Sequence, residues 1–331
     1  MKFVKYITAV LLLTLLNTTI AAKRNNNQPV QQKLIQDKAI LAEKHFNIGN
    51  SFLKLNKYQE AIENFDLAIK YKPNYSEAYV NKGVCLYELG QQQEAIKNYD
   101  LAIKYKPNQA DSYHNKGVCL AKLGQHQEAI KNFDLAIKYN PNQADSYHNK
   151  GVCLAKLGQH QEAIKNFDLA IKYNPNQADS YHNKGVCLAE LGQHQEALEN
   201  FDLAIKYKPD YAKAYNNKGA CLLKLGQLQK AIENFDLAIK YNPNFAEAYY
   251  NKGACLYDLG QLQKAIENFD LAIKYKPNYS EVYVNKGVCL YDLGQFQEAI
   301  ESCNLAIKYD HNNVLAYQLI NIFKQNVGIK K

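Results

Sequence analysis

Apolar residues recur at steps of three and four along most of the chain, and each run ends at a glycine or a proline. In residues 246–279 the first run predicts an amphipathic helix. Its apolar face carries Tyr249, Gly253, Leu256 and Leu259. Gly260 ends that helix, since glycine readily adopts the left-handed conformation found at helix ends. A second run, with Ala265, Ile266, Phe269, Ala272 and Ile273, continues as far as Pro277. The segment is therefore predicted to be a helical hairpin.

This hairpin recurs every 34 residues. Repeats 3 and 4 are identical, which indicates internal duplication. A lone hairpin cannot bury both of its faces, so consecutive hairpins are predicted to stack as a solenoid. The eight repeats span 42–75, 76–109, 110–143, 144–177, 178–211, 212–245, 246–279 and 280–313.

The two ends differ from the repeats. Residues 314–331 predict a last amphipathic helix that caps the eighth repeat, with Leu315, Ala316, Leu319, Ile320, Phe323 and Val327 on its apolar face. Residues 1–21 are typical of a secretory signal peptide, with two lysines before a short apolar run and small residues near Ala21. Cleavage after Ala22 and an uncleaved membrane anchor are the alternatives. Residues 22–41 predict a flexible tail, over 23–33, and then the start of a helix at Leu34.

The repeat resembles the tetratricopeptide repeat. Its pattern of large and small side chains is matched by Tyr79, Gly83, Leu86, Ala95, Tyr99, Ala102 and Pro107. The resemblance implies an all-α, right-handed superhelical solenoid whose first helices line a concave groove. It also implies a non-enzymatic scaffold that binds a peptide or protein. The family's clamp for a carboxyl terminus needs an arginine in the groove, and no arginine follows Arg24.

The distribution of charge along the chain argues against a nucleic-acid partner for the repeats. The net charge is +8, but residues 42–313 hold equal numbers of basic and acidic residues, so the array has no overall nucleic-acid-binding charge. The excess lies in the two ends. Repeats 5 and 8 each carry −3 and repeat 6 carries +3, so charge selection of a partner is expected there. No later segment is apolar enough to span a membrane, and self-association stays open.

Neither the cysteines nor the remaining chemistry predicts a catalytic or metal site. Seven of the eight cysteines are spaced 34 residues apart, so they occupy equivalent positions in successive repeats. Equivalent positions of packed helices lie roughly 10 Å apart, too far for a disulfide, so buried free thiols are predicted. The eighth, Cys303, replaces the aromatic residue of the second helix and predicts a weaker core. No nucleophile, base or metal-ligand set stands apart from the repeat, so no enzyme activity and no cofactor are predicted.

Polar residues on the first helices are the candidate groove residues. The resemblance implies that one asparagine in each of repeats 2–8 holds the backbone of a bound peptide, because its amide donates and accepts at once. Hydrogen bonding to the next repeat is an equal alternative. These asparagines are Asn81, Asn115, Asn149, Asn183, Asn217, Asn251 and Asn285. His114, His148 and His182 are expected to be exposed in the groove, and Tyr250 to line it.

Two functions from different classes remain. The favoured one is a scaffold that binds a protein or peptide in the groove. The alternative is a structural spacer of the cell envelope without a defined peptide ligand, which the near-identical repeats favour. The signal peptide predicts export to a periplasm or the exterior. Heavy use of lysine, asparagine and tyrosine resembles exported repeat proteins of AT-rich intracellular bacteria, with a protist as the alternative.

Overall fold

The computed structural model describes residues 31–329, and side chains through residue 325. Residues 1–21, predicted to be a signal peptide, lie outside the described part. Seventeen helices and no strand occur in the described residues. Residues 31–33, expected in a flexible tail, are already helical. None of the described helices combines the length and apolar character needed to cross a bilayer.

The chain divides into two compact units, Met1–Pro141 and Asn142–Lys331. In each unit, every first helix of a repeat (helix A) packs against the helix B that follows, and helix B packs against the next helix A. The first unit contains α1 (31–54), α2 (Tyr58–Tyr71), α3 (Ser76–Glu88), α4 (Gln92–Tyr105), α5 (Ala110–Lys122) and α6 (His126–Tyr139). The second contains α7 (Ala144–Lys156), α8 (His160–Tyr173), α9 (Ala178–Glu190), α10 (His194–Tyr207), α11 (Ala212–Lys224), α12 (Leu228–Tyr241), α13 (Ala246–Asp258), α14 (Leu262–Tyr275), α15 (Ser280–Asp292), α16 (Phe296–Tyr309) and α17 (Val314–Ile329).

Two kinds of glycine shape each hairpin. Gly260 joins α13 to α14 with φ +71°, which confirms the predicted left-handed turn. Gly253 lies on α13 against Phe269 of α14. A Cβ added at Gly253 would lie 2.6 Å from Cε1 of that fully buried ring. Close approach of the two helices therefore depends on the missing side chain.

The junctions between repeats carry a recurring ion pair. A lysine of helix A bridges an aspartate on helix B of the preceding repeat at 2.5–2.7 Å, as in Lys252–Asp236. Within one helix B, Asp100 and Asp270 also have the i,i+4 spacing for ion pairs with Lys104 and Lys274. Asp100 and Asp270 pair across the junction with Lys116 and Lys286. Lys104 and Lys274 lie over the rings of Tyr105 and Tyr275.

The last helix replaces this ion pair with apolar packing. Ile320 of α17 occupies the place of the bridging lysine and is buried, and repeat 8 has Asn304 in place of the aspartate. Phe323 stacks on Tyr291 with ring centroids 4.4 Å apart. Leu315, expected on the buried face, is 54% exposed. The C-terminal helix thus covers repeat 8 mainly through Ala316, Ile320 and Phe323.

Candidate functional site on the helix A face

A cavity of about 360 Å³ opens between helices A of repeats 5 and 6. Phe201, Val186 and Ala220 give it apolar walls, and Glu190 and Lys224 supply its charges. Ala189 is the residue whose small side chain leaves the space. The full lining is Val186, Ala189 and Glu190 from α9, His194 and Phe201 from α10, and Asn217, Ala220, Cys221 and Lys224 from α11.

Equivalent residues form a second cavity, of about 240 Å³, between helices A of repeats 7 and 8. Tyr257 stands there in place of Ala189, and its hydroxyl donates a hydrogen bond to Asp292 at 3.0 Å. The cavity that contains the larger side chain, Tyr257, has the smaller volume. The helix A face (the surface formed by these cavity-lining residues and their equivalents) therefore offers one type of cavity with a variable filling.

The charges at these cavities are available for a ligand. Glu190, Lys224 and Asp258 are exposed, and none of the three takes part in an ion pair or hydrogen bond within residues 31–325. The alternating charge predicted for repeats 5 and 6 reaches this surface as Glu190 and Lys224. A ligand in the cavity would thus meet one anion and one cation on the two helices.

The asparagines predicted for the groove mostly bond to a neighbouring helix A. Asn81 donates to Asn50 at 2.7 Å, and Asn285 donates to the Tyr250 hydroxyl at 3.0 Å. Asn217 donates to His182, and Asn251 to Asn216. Asn183 accepts a hydrogen bond from His182 of its own repeat. Asn115 and Asn149 are partly buried, and their side chains form no hydrogen bond among the described residues.

Asn217 and Asn285 also line the two cavities. The contacts between repeats favour the structural alternative for most of the ladder. These two asparagines combine both roles, because each amide spans a junction and borders a cavity.

The predicted groove histidines and Tyr250 lie between repeats and line neither cavity. His182 is only 8% exposed, contrary to the expectation of an exposed residue, and His114 and His148 are partly buried. His182 packs beside Phe201 and Tyr211. Tyr250 packs in the same manner beside Phe269 and Tyr279.

The hydrogen bonds place a proton on Nδ1 of two of these histidines. In His182, Nε2 accepts from the Asn217 amide at 3.1 Å, so Nδ1 donates to Asn183. In His148, Nδ1 lies 2.8 Å from Ser180 Oγ, whose own proton goes to Gln177. Burial lowers the pKa of both imidazoles.

The cysteines behave as small core residues. All eight are buried free thiols, which confirms the prediction for the seven spaced 34 residues apart. Burial raises the pKa of most of these thiols to about 11, which keeps them protonated at neutral pH. Among the described residues, no group of histidine, cysteine, aspartate or glutamate side chains could hold a metal ion.

Several cavity residues were missed from the sequence, namely Ala189, Glu190, His194 and Lys224. Variation among the repeats was the available signal. The residue equivalent to Ala189 is Leu223 in repeat 6 and Tyr257 in repeat 7, and the residue equivalent to Glu190 changes sign. The glycine and lysine that recur in helix A stabilise the fold instead, as Gly253 does against Phe269 and Lys252 does in its ion pair with Asp236.

Comparison with known protein families finds one family throughout the array. Models of the tetratricopeptide repeat match residues 46–112, 110–143, 142–210, 212–245, 246–279 and 280–313. Comparison with curated proteins finds no match.

Several solved structures share the fold. The Cut9–Hcn1 hetero-tetramer of APC/C aligns with a TM-score of 0.61 and 16% identity, over 80% of this chain and 52% of that one. A tetratricopeptide repeat protein of Parabacteroides merdae aligns at 0.59 and 15%, over 75% and 98%. Pseudomonas aeruginosa pilF aligns at 0.57 and 16%, over 64% and 97%. The family matches cover most of the sequence, and the chain belongs to the tetratricopeptide repeat family.

Proposed function

We propose that the protein is a non-enzymatic scaffold whose helix A face binds a polypeptide segment. The observation that carries the proposal is the recurrence of a cavity at equivalent residues of repeats 5–6 and 7–8. Each cavity combines apolar walls with an amide and with charged side chains at its edge. Such a surface suits a chain that places side chains at intervals along successive repeats.

Charge supports the same surface. Helix B aspartates already pair with lysines of the next repeat, whereas Glu190 and Lys224 remain without a partner among the described residues. Complementary charges on a ligand would steer its approach and fix its register. The ligand is therefore expected to be a polypeptide with both acidic and basic residues.

Affinity capture with a net-charge-neutral pair of variants tests this function. The intact protein is immobilised, exposed to host extract and compared with Glu190→Lys/Lys224→Glu. The control is Glu199→Lys/Lys230→Glu, which exchanges the same charges at residues that line neither helix A cavity. We expect a specific partner that the first double variant loses and the control retains. Equal retention by both would contradict the helix A face as the binding surface.

The spacer function has one observation in its favour. Repeats 3 and 4 are identical, so they offer a partner no residue-by-residue distinction. Under this alternative, capture returns nothing specific, and the protein stays with the envelope fraction whether or not Glu190 and Lys224 are exchanged.

We also propose that the chain is exported, on the strength of the basic and apolar pattern of residues 1–21. N-terminal sequencing of the protein from its host tests this proposal. A mature terminus at Ala22 or Lys23 would support it, whereas an intact terminus in the cytoplasmic fraction would contradict it.

A further inference from the structure

We propose that the cavity between α9 and α11 binds an aromatic side chain of the partner polypeptide, beneath the ammonium group of Lys224. This inference rests on the proposed scaffold function and adds the chemical class of one recognised residue. It starts from a difference between equivalent positions. Ala189 leaves space at a place where other repeats carry a tyrosine of their own.

Repeats 2 and 3 contain the filled counterpart. Tyr87 of α3 is equivalent to Ala189, and Lys122 of α5 is equivalent to Lys224. The Tyr87 ring packs against the core of its unit, and Lys122 Nζ lies 4.7 Å from the ring centroid. This distance is within the range of a cation–π interaction. The protein therefore already places an aromatic ring under a lysine at this type of junction.

Repeats 7 and 8 show the same geometry with a different neighbour. Tyr257 again occupies the place of Ala189, and its hydroxyl bonds to Asp292, the equivalent of Lys224. The residue equivalent to Lys224 therefore contacts the tyrosine in both cases. Lys122 is a cation over the ring face, and Asp292 is an anion at the hydroxyl. Between repeats 5 and 6 the cation is present and the ring is missing.

The remaining walls suit a flat apolar group. Val186 and Ala220 come from the two helices A, and Phe201 is the fully buried ring of α10. The cavity of about 360 Å³ has room for one aromatic side chain. His194 also lines it, and its buried Nδ1 has no hydrogen-bond partner within the described chain. Burial of a ring here would remove apolar surface from water and bring it to Lys224.

At the junction of repeats 4 and 5 an equivalent alanine is present, but no lysine follows it on the next helix A. Ala155 of repeat 4 is equivalent to Ala189, and the equivalent of Lys224 is Glu190. A carboxylate is not attracted to the negative face of an aromatic ring. Within the unit that begins at Asn142, aromatic recognition is therefore assigned to the junction of repeats 5 and 6, and Ala155 provides a matched control.

Fluorine NMR of a small probe tests the assignment on the intact protein. The probe is N-acetyl-4-fluorophenylalanine amide, titrated into the millimolar range while its ¹⁹F shift and line width are followed. We expect saturable binding to the unaltered protein. Ala189→Tyr supplies the ring from within the chain, as Tyr87 does, and should abolish binding, whereas Ala155→Tyr should leave binding unchanged.

A second variant covers the case in which Ala189→Tyr does not fold. Lys224→Gln removes the exposed cation and should weaken probe binding about threefold. Lys230→Gln, at a residue that lines neither helix A cavity, should leave binding unaltered. Circular dichroism melts confirm the fold of each variant. Absence of saturable probe binding would overturn the inference. It would also be overturned if Lys224→Gln bound the probe as tightly as the unaltered protein, or if the unaltered protein bound a trifluoroleucine amide as tightly as the aromatic probe.

These results separate the inference from the proposed function. If exchange of Glu190 and Lys224 abolishes partner capture but the aromatic probe does not bind, the scaffold function stands and the aromatic site is overturned. If capture is insensitive to that exchange, the proposed surface itself is contradicted.

Discussion

Consecutive repeats meet along two sides that differ in how much of their chemistry recurs. On the helix B side, junctions within each unit use the same lysine–aspartate bridge, and each hairpin places a glycine against an aromatic ring, except Cys303 in repeat 8. On the helix A side, the contacts change from Asn217–His182 to Asn251–Asn216 to Asn285–Tyr250. The helix B side, whose contacts recur, is the constant side and stabilises the fold. The helix A side, whose contacts change, is the variable side and can differ from repeat to repeat in what it binds.

The largest expected effect comes from breaking the constant side. Phe235→Cys would give repeat 6 the pairing that repeat 8 has naturally, in which Cys303 faces Gly287. Phe235 is fully buried, so the change should leave a cavity and lower the free energy of unfolding by about 3 kcal/mol. Urea denaturation measures the loss. Tyr241→Cys, at an exposed ring of the same helix, is the control, and an equal loss there would contradict the role given to the glycine–aromatic contact.

A smaller effect is expected from the variable side, through pH. Because burial lowers the pKa of His182 in the folded chain, the unfolded chain takes up the proton more readily as the pH falls below the ordinary histidine pKa of about 6.5. Stability should therefore be greatest above that pH and decline toward pH 5. The hydrogen bond to Asn183 and the charge of Asp179 oppose this lowering of the pKa, while the charge of Lys213 adds to it.

The test compares melting temperatures at pH 7.5 and pH 5. His182→Asn, which copies Asn216 of the next repeat, should show a smaller difference between the two pH values than the unaltered protein. His311→Asn changes an exposed histidine and should leave the difference unaltered. An undiminished difference in His182→Asn would show that burial of this imidazole does not set the pH dependence.

The smallest effect is expected from a single junction ion pair. Asp236 is about half exposed, with 52% of its side chain accessible, so solvent screens its bridge to Lys252. Asp236→Asn should cost about 0.5 kcal/mol in dilute buffer and less in 1 M salt. Thermal melts at two salt concentrations measure this, with Asp258→Asn as the unpaired control. A salt-independent loss above about 2 kcal/mol would assign the bridge a larger role.

The sequence predicted the constant side well. Helical spacing and Gly260 located the hairpin, and the same spacing placed Gly253 on the face of α13 that packs against α14. These features are local to one repeat, so periodicity along the chain contains them.

Contacts between repeats could not be predicted in the same way. The partner of Asp270 is Lys286, one repeat away, although Lys274 is nearer in sequence. His182 is buried because Tyr211 and Asn217 cover it. The space at Ala189 appears only when two helices A are placed side by side. Each depends on which residues of adjacent hairpins face one another, and a repeat period alone does not fix that register.

Thiol chemistry offers a direct probe of the variable side. The native thiols are buried, and burial raises their pKa values, so Ellman's reagent at pH 8 should titrate none of them in the folded protein and all eight in denaturant. Rapid reaction of the folded chain would contradict their placement in the core. A single added exposed cysteine would then be the only site labelled.

Photo-crosslinking from such a cysteine tests most directly whether the helix A face is the binding surface. Asp258→Cys and Glu199→Cys are each labelled with a benzophenone maleimide, mixed with the captured partner and irradiated. Residue 258 is exposed at the cavity between repeats 7 and 8, and residue 199 lies outside both helix A cavities. We predict a crosslinked adduct from position 258 and none from position 199. An adduct from position 199 alone, or equal yields from both, would contradict the assignment of partner binding to the helix A face.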